Sequence, residues 1–190
     1  MRLILLGPPG AGKGTQARRI AERLGVPAIS TGDIFRANVQ AGTELGRRAQ
    51  QYVDAGEYVP DDVTNGMVRD RLGEPDVADG FLLDGYPRTG QQVETLDAML
   101  AERDSALDRV VELVVDRDEL MARLVKRAET EGRTDDTPEV IAHRLDVYDE
   151  QTAPLVAVYD ARGLLVTVDG IGSMDDVTGR VLGALDHRVS

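Results

Sequence analysis

Short apolar runs alternate along the chain with stretches whose apolar residues recur every three or four positions. Leu3-Ile4-Leu5-Leu6 has strand length and is apolar on both faces. Ala17, Ile20, Ala21 and Leu24 follow at helical spacing, and Gly25 ends that helix. Pro27-Ala28-Ile29 predicts a weak second strand and Phe81-Leu82-Leu83 a third, running into Asp84. Val110-Val111-Glu112-Leu113-Val114-Val115 is the clearest strand, and Leu164-Leu165-Val166-Thr167-Val168 is the last. Helices are predicted through Val93, Leu96, Met99 and Leu100, through Leu120, Leu124 and Val125, and through Val177, Val181, Leu182 and Leu185. Thr137-Pro138 reads as an N-cap with proline at the first helical position, opening a helix through Ile141, Leu145 and Tyr148. Pro154 should kink or interrupt it before Leu155, Val158 and Tyr159. Two-faced apolar strands alternating with helices predict an α/β fold: a parallel sheet of about five strands, helices on both faces, right-handed crossovers.

Two segments break the rhythm. Residues 31–72 carry helical patterns around Ile34, Phe35 and Val39, around Leu45, Ala49 and Val53, and around Val63, Met67, Val68 and Leu72, with no strand between them. This predicts a helical insertion between two strands. Ala128 to Asp136 is polar and nearly without apolar residues, which predicts a surface loop of about ten residues.

Composition then narrows the chemistry. At 190 residues, the chain is sized for one full core. It has no cysteine, which removes disulfides, thiolate zinc sites and cysteine nucleophiles. Its two histidines, His143 and His187, are too few for a histidine-based zinc site or a serine-protease triad and are expected at the surface or at helix termini. The apolar run at Leu3–Leu6 is shorter than a signal-peptide core, and no run is long enough for a membrane helix, so a cytoplasmic location is expected. The net charge of −12 argues against nucleic acid or an anionic membrane as partner. Against 20 arginines stand only two lysines, Lys13 and Lys126.

Lys13 falls in Gly7-Pro8-Pro9-Gly10-Ala11-Gly12-Lys13-Gly14-Thr15, directly after the first strand and opening the first helix. That is the setting of a phosphate-binding loop: glycines let backbone N–H groups curl round an anion, the helix N-terminus adds its dipole, and the lysine adds a mobile charge. Gly14 stands where the motif usually carries the Ser or Thr that ligates Mg²⁺, and Thr15 follows it. Direct hydroxyl coordination of the metal is therefore not expected from this loop, and water is expected to complete more of its shell.

Three further stretches choose among nucleotide-binding classes: Ser30-Thr31-Gly32-Asp33-Ile34-Phe35-Arg36; Asp84-Gly85-Tyr86-Pro87-Arg88 with Gln92 one turn on; and Arg123, Lys126 and Arg127 with Gly132-Arg133-Thr134-Asp135-Asp136 and Arg144. With the phosphate loop, in this order and spacing, they resemble the adenylate kinase family from Met1 to about Leu185, in its short-lid form without a zinc site. The resemblance implies a P-loop kinase core (1–29, 60–125 and 137–190), an acceptor-binding insertion (30–59) and a short lid (126–136). It implies that Gly10, Ala11, Gly12, Lys13, Gly14 and Thr15 hold the ATP phosphates, with Arg123, Arg127 and Gly172 also on ATP. Thr31, Arg36, Glu57, Tyr58, Val59, Gly85, Tyr86, Pro87, Arg88 and Gln92 would hold AMP, the Gln92 amide meeting the adenine edge. Arg133 and Arg144 would clamp phosphates of both, Asp84 would orient Mg²⁺ through water, and Asp135 and Asp136 would pair with lid arginines. Lys13, Asp84, Arg88, Arg123, Arg127, Arg133 and Arg144 would be the catalytic set. The partners implied are ATP, AMP and ADP, and the state implied is a monomer.

Duller roles stay open for several of these. Thr31 could cap a helix, Arg36, Arg123 and Arg127 could be solvated helix charges, Asp84-Gly85 could be a plain turn, Asp135-Asp136 could favour the next helix's N-terminus, and Gln92 could be helix surface. A kinase for UMP, CMP or GMP, and a nucleotide-binding switch without transfer activity, also remain. The transfer ATP + AMP ⇌ 2 ADP suits the residues present. A phosphomonoester with a second pKa near ~6 is already mostly ionised at neutral pH, so no general base is needed. The difficulty is to offset the repulsion of two polyanions, which calls for converging cations.

Overall fold

The computed structural model describes residues 1–131 and 137–186. Strands β1 (Arg2–Leu6), β2 (Ala28–Ser30), β3 (Phe81–Asp84), β4 (Arg109–Val114) and β5 (Leu165–Asp169) form one parallel sheet in the order β2-β3-β1-β4-β5. Side chains alternate across β1, and both directions are apolar. Leu3 and Leu5 enter a core that includes Ala17, Ile20, Leu120, Leu124 and Val181. Ile4 and Leu6 enter another with Val68, Leu96, Met99, Leu155 and Tyr159. Buried faces on both sides leave a parallel strand no place for polar residues, and β1 has none after Arg2.

Helices α1 (Lys13–Leu24), α6 (Arg117–Glu131), α7 (Pro138–Val147) and α9 (Met174–Asp186) cover the first face; α4 (Asp61–Leu72), α5 (Gly90–Ala101) and α8 (Pro154–Ala161) cover the second. Thr137 caps α7 by accepting the Val140 N–H at 3.3 Å, with Pro138 at the first helical position as the sequence predicts. The interruption before Leu155 takes the form of a π-helical turn at Tyr148–Thr152, closed by an Ala153 N–H to Tyr148 carbonyl bond of 2.9 Å. The insertion holds α2 (Thr31–Ala41) and α3 (Glu44–Ala55), and its own small core of Phe35, Ala49 and Val59.

One open alternative is closed and one local expectation is corrected. The α2 cap is Ser30, whose hydroxyl accepts the Asp33 N–H at 3.3 Å, and Thr31 is already helical. The second change concerns the polar segment after Lys126. Helix α6 runs to Glu131, so Ala128 to Glu131 are not loop. Extending an existing helix fixes one residue per added hydrogen bond and needs no new nucleus, so a polar stretch without Gly or Pro simply continues it. The remaining positions of that segment, Gly132 to Asp136, and also His187, lie outside the described residues.

Candidate active site

All five strands point their C-terminal ends to one edge of the sheet. Central β1 has β3 on one side and β4 on the other, so connections leave it in opposite directions and open a crevice there. The segment Gly7–Gly12 turns from β1 into α1 across this crevice. Gly10 (φ 86°) and Gly12 (φ 89°) adopt left-handed conformations that side-chain-bearing residues resist. The Lys13 ammonium folds back over the loop, donating to the Gly7 carbonyl at 2.7 Å and the Pro8 carbonyl at 3.0 Å. Desolvation pulls its pKa from 10.5 down to about 8; Asp84 opposes the shift, and Arg88, Arg144 and Arg127 add to it.

The neighbouring strand β3 ends in Asp84, which is buried. Its carboxylate stands 3.6 Å from where a Cβ on Gly14 would lie, so the small residue at position 14 leaves room beside it. Gly85 follows with φ 80°. Its carbonyl accepts the Thr31 hydroxyl at 2.9 Å and the Arg88 Nε–H at 2.8 Å. A Cβ at Gly85 would lie 2.7 Å from Thr31 Oγ1 and 2.9 Å from Arg88 Nη2, so the residue must be glycine for these two groups to gather. Thr31 is thus a buried donor, not a cap. The Tyr86–Pro87 peptide is cis, and the Tyr86 hydroxyl donates to Asn65 Oδ1 at 2.7 Å. Arg88 stacks its guanidinium 4.9 Å above the Tyr58 ring centroid. Gln92 is 1% exposed, so it is not helix surface. Its Oε1 accepts the Arg88 backbone N–H at 2.7 Å, and its Nε2 donates to Asp61 Oδ1 at 2.7 Å.

Other cations reach the crevice from helices. Arg36 is paired with Asp33 at 2.6 Å, one turn back. Arg123 is paired with Glu119 at 2.7 Å and also donates to the Gly170 carbonyl at 3.1 Å. Arg127 comes from α6 and Arg144 from α7. Glu57 lies 2.5 Å from Nε2 of the half-exposed His143 on α7, joining the insertion to the core.

One cavity of about 910 Å³, near the upper end for ligand pockets, collects these groups. Its wall includes Gly10–Thr15, Thr31, Arg36, Glu57, Tyr58, Val59, Asp84, Gly85, Tyr86, Pro87, Arg88, Gln92, Arg123, Arg127, Arg144 and Gly172. Of the residues singled out in the sequence, Arg133, Asp135 and Asp136 lie outside the described residues. The wall also includes Lys126, Tyr148 and Thr152, to which the sequence reading gave no site role. Lys126 was visible as one of only two lysines. Thr152 carried no signal: its hydroxyl donates to the Arg88 carbonyl at 2.8 Å and lies 2.6 Å from the Tyr58 hydroxyl, contacts across 64 and 94 positions.

Comparison with known proteins agrees with this geometry. The sequence model of the family described as adenylate kinase matches residues 5–164. Proteins named adenylate kinase from Kocuria rhizophila (65% identical over 186 residues, 98% of this chain and 99% of theirs), a Nocardioides species (62% over 186 residues, 98% and 97%) and Thermobifida fusca (58% over 188 residues, 99% and 100%) are similar along their whole length. The glycine bend, the gathered cations and this likeness together make the chain a member of the adenylate kinase family.

Proposed function

We propose that the cavity takes ATP and AMP together and moves the terminal phosphoryl group between them, giving two ADP. The carrying observation is that Lys13, Arg36, Arg88, Arg123, Arg127 and Arg144, spread over 131 positions, line one cavity with the phosphate loop. Gly10–Thr15, Arg123, Arg127 and Gly172 hold ATP. Thr31, Arg36, the 57–59 backbone, Gly85, Arg88 and Gln92 hold AMP, and Arg144, with Arg133, bridges the two. In the transfer, an AMP phosphate oxygen forms the new P–O bond as the bond from the γ-phosphorus to the β,γ-bridging oxygen breaks; no residue need take a proton. The fixed cations offset charge on the transferring group, which is the main protein contribution in such reactions.

The buried Asp84 carboxylate beside Gly14, on the same cavity wall as Thr15, is a hard oxygen donor suited to holding Mg²⁺ through water. When bound, Mg²⁺ would neutralise phosphate charge. Among the described residues no group of three or more His, Cys, Asp or Glu could hold a metal directly, and no helix is long and apolar enough to cross a membrane. The insertion at 30–59, with its separate core, and the segment 126–136 act as covers that exclude water, while 1–29, 60–125 and 137–190 form the frame. The working protein is a cytoplasmic monomer.

An assay of ADP formation from ATP with AMP, GMP, CMP and UMP, with and without Mg²⁺, tests the reading. AMP should give the highest kcat/KM, and only with Mg²⁺. Faster turnover of UMP or CMP would overturn the acceptor assignment. Uptake of a single nucleotide, with no binding of a dinucleotide spanning both sites, would leave a switch instead of a kinase.

A further inference from the structure

We infer that Asp61 is a positioning residue that sets the acceptor-base preference, by fixing which end of the Gln92 carboxamide donates and which accepts. The inference rests on the reading of Gln92 as the group that meets the acceptor base.

A carboxamide has nearly the same shape when flipped, but its donor and acceptor ends exchange places. Here the partners leave one choice. The Arg88 backbone N–H can only donate, and it faces Oε1 at 2.7 Å. The Asp61 carboxylate accepts from Nε2 at 2.7 Å. The flipped amide would set NH₂ against N–H at one end and oxygen against carboxylate oxygen at the other. With Gln92 1% exposed, water has little access to relieve either conflict.

Asp61 is itself held. Its second oxygen accepts the Thr89 hydroxyl at 2.9 Å, and that hydroxyl accepts the Gln92 backbone N–H at 3.2 Å as the cap of α5. Asp61 opens α4 and stands behind the cavity wall, whereas Gln92 lines it. Each end of the amide spends one position on these partners. One oxygen lone pair and one N–H remain for the base. That pair complements adenine, whose 6-amino group donates beside an accepting N1. It opposes hypoxanthine and guanine, where N1–H donates and O6 accepts. Asp61 and the Arg88 N–H thus work together: the carboxylate anchors the nitrogen end, and the backbone anchors the oxygen end.

The test compares kcat/KM for AMP and for inosine monophosphate in the native chain, Asp61→Asn and Asp61→Ala, with KM for ATP measured alongside. Asp61→Ala should lower the AMP-to-IMP preference at least tenfold through the acceptor KM, leaving KM for ATP within twofold. Asp61→Asn, which keeps the shape but can offer a donor to a flipped amide, should move the preference the same way by a smaller factor, and it decides the matter if the alanine variant does not fold. A lowered Tm with AMP and IMP rates falling in parallel, the preference unchanged within twofold, would overturn the inference and leave Asp61 a purely structural residue. A native chain that makes no ADP from ATP and AMP would overturn the kinase reading beneath it, which is a different result from an active chain whose preference does not move.

Discussion

The two sides of the cavity are built by different means. On the proposed assignment, the heart of the donor side is a single run, Gly7 to Thr15, brought together by one turn of backbone, with Arg123, Arg127 and Gly172 added from later in the chain. The acceptor side is assembled from α2, the 57–59 link, the segment after β3, and the helices around Arg144 and Thr152. Each side, however, holds its cations in the same two ways. Lys13 and Arg88 rest on carbonyl oxygens, which orient a positive charge without cancelling it. Arg36 and Arg123 are paired with carboxylates, Asp33 and Glu119, which a phosphate must displace or share. Charge held by dipoles is pre-aimed at an incoming anion; charge held by carboxylates is partly spent.

The sharpest way to break the comparison is Arg88→Ala. It removes a pre-aimed cation from the acceptor side alone, so kcat should fall about a thousandfold while ATP affinity stays within about twofold. Comparable losses of ATP affinity and turnover would mean that the two sides are not separate. A second test bears on Lys13. Its free-state pKa of about 8 lies below the ordinary 10.5, and bound triphosphate must raise it again. ATP binding should therefore take up close to one proton at about pH 9 and little at about pH 7, read by calorimetry in buffers of different ionisation enthalpy. Affinity should weaken as pH rises through about 8. The same depressed lysine binds fewer protons folded than unfolded, so it costs stability at neutral pH and that cost fades between about 8 and 10.5. Binding without proton uptake would remove the idea that burial depresses Lys13 in the free protein.

Smaller effects sharpen the picture. Thr31→Val deletes one buried donor to the Gly85 carbonyl, worth about 1 kcal/mol, and should raise KM for AMP about fivefold with kcat and KM for ATP nearly unchanged. Glu119→Gln releases Arg123 from a pair in which the arginine side chain is 27% exposed. It should tighten ATP binding by no more than about threefold, and less at high salt. An effect as large as that of Arg88→Ala would show that carboxylate pairing suppresses these arginines far more than the geometry implies.

The contrast also explains what could be read before the fold was known. The phosphate-loop run is contiguous, and β1, β3 and the middle of β4 are short apolar runs, so these stand in the primary structure, whereas β2 shows only weakly. Pro154 foretold a break, though not that it would be a π-helical turn. Asp61 and Thr152 gave no signal because they act on Gln92 and Arg88 across 31 and 64 positions, and only chain folding creates those contacts. Thr31 was open to two readings: Ser30 and Thr31 are both good caps, and pairing of β2 with β3 through Ser30 and Asp84 decides which of them begins the helix.

The wide turn at Tyr148–Thr152 has a consequence beyond the site. Before it, Ile141 and Leu145 of α7 belong to the apolar layer on one side of the sheet; after it, Leu155 and Tyr159 of α8 belong to the layer on the other. One almost continuous rod is thereby stitched through both halves, passing the cavity on its way. Each layer thereby grips one end of a rod whose middle, at Tyr148 and Thr152, forms part of the cavity wall, so packing on either side of the sheet bears on the shape of that wall.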